Sequence, residues 1–196
     1  FYLENIKNIK DTDTAKFTRY IKNELFDINN NQNSLKALIN ISETNIVRYK
    51  ELLLFNFISK NNIQKIAELL DSGVDINCKI EDNISALHIA VSLEKEKIVE
   101  LLLRHGADVE AITNTKLTPL MDASKRGFVE IVKLLIHNGA NINAIGVDGN
   151  DALILATNSQ KYEVVSLLLS YNIQLNQTNN EKDNALTRAI KMNFCF

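Results

Sequence analysis

The sequence predicts an all-α repeat solenoid, in which helix-turn-helix units are joined by β-hairpin or loop segments. Two observations lead to this fold class. The 196 residues include only six Gly, one Pro and no Trp, and so few chain breakers favour helices joined by polar turns over many short strands. Side chains of similar chemistry also recur along the chain at one constant spacing, and such a repeat period indicates stacked units.

The repeat period links four independent sets of positions. One set follows apolar helical patterns and comprises Gly73, Gly106, Gly139 and Asn172. A polar set comprises Ser85, Thr118, Asp151 and Asn184. Two apolar sets comprise Leu87, Leu120, Leu153 and Leu186, and Ala90, Ala123, Ala156 and Ala189.

The chemistry of each set predicts its place in a unit. Ser, Thr, Asp and Asn accept hydrogen bonds from the free amides of a helix's first turn, so the polar set is predicted to hold N-caps. Gly and Asn tolerate the left-handed backbone that ends a helix. The Ala set lets neighbouring first helices approach closely, and Leu-rich second helices, including Leu134, are predicted to interlock into a core shared between adjacent units.

Two six-residue segments carry a resemblance to a known family. Thr118 to Ala123 (TPLMDA) and Ser85 to Ala90 (SALHIA) resemble the ankyrin signature T-P-L-H-x-A. Downstream, EIVKLL at 130–135 and NGANINA at 138–144 resemble the second helix and closing turn of an ankyrin unit. The resemblance implies units at about 46–77, 78–110, 111–143 and 144–176, with a partial unit at 177–196, so that 46–196 would form an ankyrin repeat domain.

Both ends of the repeat region depart from the pattern. Bulky Phe57 stands where a small residue is expected, which suggests a terminal unit. Residues 1–45 lack the signature, but Phe17, Ile21 and Leu25 have helical spacing. This segment is predicted to be a helical N-terminal cap or a degenerate repeat, and the cap is favoured because a solenoid needs its apolar end shielded.

Charge and cysteine content restrict the function classes. The formal net charge of −2, from 22 basic and 24 acidic residues, provides no long-range field to gather nucleic acid or an anionic membrane. No uninterrupted apolar run reaches the roughly 18 to 20 residues that a membrane helix needs. Cys78 and Cys195 are far apart, which fits a reducing compartment. We therefore expect a cytoplasmic or otherwise intracellular protein, in the host cytosol if it is a secreted effector.

Candidate catalytic residues have structural interpretations. The resemblance implies that the His88 imidazole bonds to backbone of the next unit, and Asp122 is taken as its counterpart there. Asp148 and Gly149 are typical of a hairpin turn, and Asp151 is a predicted N-cap. No Ser, His and Asp grouping remains for a hydrolase. We expect a protein that is not an enzyme, with no cofactor, metal or small-molecule substrate.

Two functions are compatible with these observations. The first is a scaffold that binds another protein through a concave surface of hairpins and first helices. The second is a regulatory or targeting segment that packs on a domain of the same longer chain. The full reading frame would distinguish them.

The resemblance also implies which residues contact a partner. They correspond to positions where ankyrin proteins vary: Lys79, Glu81, Asp82, Ile84, Ser92, Leu93, Ile112, Asn114, Thr115, Leu117, Lys125, Arg126, Ile145, Val147, Asp148, Asn150, Asn158 and Ser159. Leu117 and Arg126 are the favoured anchors. Ile112 and Ile145 are equally compatible with packing beneath the hairpins.

Overall fold

The computed structural model describes residues 43–171 and 173–191, with side chains from Lys50 onward. The predicted helices before residue 43, the predicted stop at Asn172 and the aromatic residues after 191 lie outside this part of the chain. The chain divides into two compact units, Phe1–Lys50 and Glu51–Phe196. The predicted cap and the boundaries of the individual repeats stay predictions.

Short helices in pairs make up most of the described residues. They are α1 Glu43–Ser59, α2 Ile63–Asp71, α3 Ala86–Ser92, α4 Glu96–Arg104, α5 Pro119–Arg126, α6 Val129–His137, α7 Ala152–Asn158, α8 Tyr162–Ser170 and α9 Ala185–Lys191. A 3-10 turn covers Glu81–Asn83. Within the described ranges there is no regular strand, only an antiparallel bridge between Lys79 and Ser85. The predicted all-α repeat fold is confirmed, and the predicted hairpins are tight loops.

The predicted N-caps all accept a hydrogen bond from an amide three residues further on. The donor-acceptor distances are 3.4 Å at Ser85, 3.2 Å at Thr118, 2.7 Å at Asp151 and 2.9 Å at Asn184. Each bond satisfies an amide of the first helical turn that has no partner within the helix. The four residue types of this set therefore all act as helix N-caps, as predicted.

A left-handed residue separates the two helices of each pair, and the sequence did not reveal this set. Its members Asn61, Glu94, Gly127 and Gln160 follow one another at the repeat period and have φ of 57°, 55°, 88° and 55°. Gly127 and Asn61 are residue types that tolerate this conformation, but Glu94 and Gln160 are not, so residue type gave no sign of a shared set. The predicted stops Gly73, Gly106 and Gly139 also have positive φ, of 78°, 85° and 90°.

The core is formed by equivalent positions of successive helices. The Ala set is buried throughout. In the second helices one fully or nearly fully buried set is Leu69, Leu102, Leu135 and Leu168. The prediction for Leu134 was wrong, because Leu134 is only half-buried and the adjacent Leu135 faces the core. Three of the four Leu positions in the first helices are buried, but Leu186 on α9 is 61% exposed.

The counterpart of His88 in the next unit is Met121, not Asp122. Met121 lies one repeat period after His88 and is buried. Asp122 is one residue out of register and belongs instead to an ion pair with Arg126.

Candidate protein-binding surface

In the described part of the chain, four five-residue loops, here called fingers, precede helices α3, α5, α7 and α9. They cover residues 80–84, 113–117, 146–150 and 179–183. In each finger the first amide donates to the last carbonyl, at 3.0, 3.2, 2.9 and 2.9 Å respectively. The fourth residue is always left-handed: φ is 58° at Asn83, 51° at Lys116, 74° at Gly149 and 63° at Lys182. The predicted turn at Asp148 and Gly149 is thus one of four equivalent turns.

Adjacent fingers are joined by backbone hydrogen bonds. The second amide of a finger donates to the third carbonyl of the preceding finger, from Asn114 to Asp82 at 2.9 Å, from Val147 to Thr115 at 3.4 Å and from Asn180 to Asp148 at 3.0 Å. The Asn114 side chain adds bonds to Asp82 and Asn83 at 3.2 and 2.8 Å. Several predicted partner-binding residues therefore also hold the fingers together.

A second set of bonds joins the turns that follow the second helices. Side-chain oxygens of Asn77, Glu110 and Asn143 accept backbone amides of the next unit at 2.8, 2.7 and 2.9 Å. These acceptors also follow one another at the repeat period. Their spacing was a signal in the sequence that our prediction did not use.

His88 connects two units as predicted. Its Nδ1 accepts the Ser85 amide at 3.3 Å, and its Nε2 lies 3.1 Å from the Leu117 carbonyl oxygen. This pattern requires a neutral ring that carries its proton on Nε2. Burial lowers the pKa of His88, which favours that neutral form. The imidazole is therefore a structural link between α3 and the following finger.

Arg126 and Asp122 form an ion pair beside an open groove. Arg126 Nε lies 2.9 Å from Asp122 Oδ1, and the Asp122 residue is buried. The groove has a volume of about 480 Å³ and is lined by Asp122, Lys125, Arg126, Phe128, Ser159 and Lys161. It brings together the predicted residues Lys125 and Arg126, and it adds Lys161, which sequence analysis missed.

Most of the predicted partner-binding residues are exposed. The exposed members are Lys79, Glu81, Asp82, Leu93, Ile112, Asn114, Thr115, Lys125, Arg126, Ile145, Val147 and Asp148. The half-buried members are Ile84, Ser92, Leu117, Asn150, Asn158 and Ser159. All of them lie on the first three fingers, immediately before them, or at the ends of α3, α5 and α7.

Solvent exposure does not follow the order of preference among the apolar candidates, and which of them contact a partner stays a prediction. Leu117 is half-buried, and its carbonyl is occupied by His88. Ile112 and Ile145, which were equally compatible with packing beneath the hairpins, are 45% and 48% exposed. Val147 is 53% exposed. Around the fingers, the accessible apolar candidates thus lie immediately before a finger or at its second residue rather than at its last residue.

The described ranges contain no group of three or more His, Cys, Asp or Glu side chains placed to hold a metal ion. None of their helices is both long and apolar enough to cross a membrane.

Comparison with known proteins identifies the family. The family model described as ankyrin repeats (3 copies) matches residues 54–146 and 120–195, which together cover more than half of the chain. The chain belongs to the ankyrin repeat family. The four fingers, the capped first helices and the His88 link are thus features of an ankyrin repeat protein.

Curated relatives share parts of this ankyrin repeat chain. An ankyrin repeat protein of fowlpox virus (strain NVSL) is 39% identical over 71 residues, which are 36% of this chain and 10% of the relative. An ankyrin repeat protein of Borreliella burgdorferi is 29% identical over 122 residues, 61% of this chain and 56% of the relative. The serine/threonine-protein kinase 12 of Arabidopsis thaliana is 38% identical over 65 residues, 33% of this chain and 14% of the relative.

The chain spans between about a tenth and little more than half of the length of these relatives. The similarity to the kinase is confined to its repeat region and carries no evidence of catalysis. Ankyrin repeats are generally non-catalytic and generally mediate protein-protein interaction.

Proposed function

We propose that this ankyrin repeat protein is a non-catalytic scaffold that binds a partner protein through its fingers and the adjoining ends of its first helices. The observation that carries the proposal is the exposure of Val147 on a finger and of Ile112 and Ile145 immediately before fingers. These fingers are bonded to one another. Binding is favoured when a partner removes exposed apolar side chains from water, because the free energy falls by roughly 25 cal/mol per Å² of apolar surface buried. Fingers already held in place lose little further entropy on binding.

Position within the stack supports one continuous surface. Ile112 and Ile145 occupy equivalent sites one period apart, and Val147 lies two residues after Ile145. Charged and polar residues flank them, including Lys79, Glu81 and Asp148. An apolar centre with a polar rim is the usual composition of a protein interface. The balanced net charge of −2 favours a protein over nucleic acid as the partner, and we place the interaction inside a cell.

Photo-crosslinking in cells that make the protein would test the surface. A photoreactive phenylalanine analogue at Ile112 or Val147 should give a discrete adduct with a partner protein. The same group at Leu169, an apolar residue of α8 that is 43% exposed, serves as the matched control. Adducts at Leu169 with none at Ile112 and Val147 would move the site to the second helices.

Binding measurements with the captured partner would complete the test. Ile112→Asp and Val147→Asp should each weaken binding by more than about 1 kcal/mol without lowering the melting temperature, as expected of interface anchors. Leu169→Asp should leave the affinity unchanged. Leu117→Asp is a poor probe of binding. The Leu117 side chain is half-buried, so this substitution would also destabilise the fold.

A second candidate is a regulatory or targeting segment that packs on another domain of the same polypeptide. It is favoured by the similarity to a short part, 14%, of the Arabidopsis kinase. Sequencing the full reading frame would test it. A catalytic domain in that frame, together with adducts at Ile112 that stay within one chain, would favour this candidate over the scaffold.

A further inference from the structure

The groove beside Arg126 is positively charged on a chain that is negative overall. Its lining includes three cationic side chains, Lys125, Arg126 and Lys161, and one carboxylate, Asp122. The formal sum is +2 (three positive minus one negative), whereas the whole chain has −2. A local excess of one sign in a concave site concentrates ligands of the opposite sign.

The Asp122 carboxylate occupies only one edge of the Arg126 guanidinium. It accepts from Nε at 2.9 Å. Neither terminal nitrogen of Arg126 donates a hydrogen bond to any other described residue. The ion pair therefore orients the guanidinium and leaves its terminal N–H groups to an incoming anion, for which a planar fork of donors is well suited.

The two lysines add further positive charge to the groove. Lys125 is exposed, and in the part of the chain that the structure describes neither Lys125 nor Lys161 forms an ion pair. The Lys161 stem lies across Gly127: a Cβ added there would be 2.8 Å from Lys161 Cδ and 3.3 Å from Cε. Packing against this glycine directs the stem along the groove wall. Gly127 thus leaves room for a cation contributed by the next helix pair.

We propose that this groove binds an acidic segment of a partner protein, with Lys125, Arg126 and Lys161 receiving its carboxylates. The proposal deepens the proposed scaffold function, because it names the chemistry of part of the partner and rests on the chain being a protein binder. Phe128 and the lysine stems provide apolar surface for the methylene groups of glutamate side chains.

The test uses the whole 196-residue chain and a synthetic probe. A fluorescein-labelled nonapeptide with four glutamates is titrated with the protein and followed by anisotropy, beside an otherwise identical peptide with four glutamines. The acidic peptide should bind with a dissociation constant below about 1 mM, and the amide peptide should not. Binding should weaken as NaCl rises from 50 to 500 mM, because salt screens charges at a solvent-exposed site.

Charge-removing variants then locate the site. Lys125→Met and Lys161→Met keep most of each stem and should each weaken binding about two- to fivefold, the range for exposed charge pairs. The double variant should bind the acidic peptide about tenfold more weakly than the wild type does. Lys97→Met removes an exposed lysine of α4 and should leave the affinity unchanged. Thermal unfolding of each variant shows that the fold is retained.

Three outcomes would overturn the proposal. They are absence of binding at 1 mM, equal binding of the glutamine peptide, and equal losses for Lys97→Met and Lys161→Met, which would indicate diffuse attraction. None of them depends on Ile112 or Val147. The groove proposal and the scaffold proposal can therefore fail separately, the first in this titration and the second in crosslinking.

Discussion

Asp151 differs from the three other N-caps because it introduces a charge into a buried position. Its carboxylate accepts the Ile154 amide at 2.7 Å, and the residue is 1% exposed. Burial raises the pKa of this carboxyl, although hydrogen bonds from backbone amides act in the opposite direction. Desolvation therefore outweighs the capping bonds in its effect on this pKa.

Asp151→Asn should stabilise the protein at pH 7. Asparagine caps as well as aspartate and carries no charge to desolvate. Because the folded-state pKa of Asp151 is raised, the wild type gains stability as pH falls through that pKa toward the ordinary value near 3.9. The advantage of the variant should shrink over the same interval. Urea unfolding at pH 7 and pH 4 measures it, and a variant less stable at pH 7 would contradict the role of desolvation.

His88 gives the opposite pH dependence. Burial lowers its folded-state pKa below the ordinary value of about 6.5, so the unfolded chain binds a proton more readily. Stability from the neutral ring is complete above about pH 6.5 and is lost as pH falls through the folded-state pKa. His88→Gln should lower stability at pH 7.5 but reduce the fall in stability between pH 7.5 and 5.5.

The matched control for His88 is His137→Gln, on the exposed last residue of α6. In that variant the urea midpoint should change with pH as it does in the wild type. Equal slopes in wild type and His88→Gln would show that the link to Leu117 does not depend on the charge of the ring.

At the scale of elements, the residue type at the fourth position of a finger is constrained both by the backbone conformation there and by the neighbouring finger. All four have a left-handed fourth residue, yet only the third has glycine there. A Cβ on Gly149 would lie 2.9 Å from Asn179 Cα and 3.0 Å from the Asn180 amide nitrogen. Glycine at this position therefore permits the close approach of the next finger as well as the turn.

Gly149→Ala should cost more stability than Gly139→Ala. Both residues have positive φ, so each substitution costs about 1 to 2 kcal/mol for the left-handed backbone. A Cβ on Gly139 meets nothing within 4 Å, whereas one on Gly149 meets backbone atoms that cannot rotate away. Calorimetric unfolding of the two variants measures the difference. Equal losses would show that the next finger shifts freely.

At the scale of the whole repeat stack, each second helix packs on its neighbours. Helix α4 contacts α6, and α6 contacts α8. Their equivalent leucines, Leu102, Leu135 and Leu168, are each 0% exposed. Stability of such a stack is expected to be a sum of unit terms and nearest-neighbour terms.

Truncations of these leucines should couple only between adjacent helices. Each change to alanine should cost about 2 to 5 kcal/mol. The pair Leu102→Ala and Leu135→Ala should deviate from additivity by about 0.5 to 3 kcal/mol, whereas Leu102→Ala and Leu168→Ala should add within about 0.5 kcal/mol. Urea unfolding of the single and double variants gives both coupling energies. Strong coupling across two units would contradict a nearest-neighbour stack.

Much of this architecture could be predicted from the sequence, because it depends on chemistry that one residue carries by itself. Ser85, Thr118 and Asp151 reveal a helix start through their side-chain acceptors, and the repeat period gives the order of the helices. The link from His88 could be predicted because its residue type matches a known pattern. These features require no knowledge of what lies beside each residue in space.

Only the tertiary structure decided which side chains reach solvent and which share a site. Leu134 and Leu135 differ in burial although they are adjacent and identical, because the rotation of α6 against its neighbours determines which one faces the core. Lys161 joins Arg126 because the stem crosses Gly127 of the preceding helix pair. Gln160 and Glu94 adopt a left-handed backbone conformation that their residue types do not predict. Packing between units sets the first two features, and the left-handed turns are set where the two helices of one pair meet. A single residue's chemistry contains no information about its neighbour in the stack.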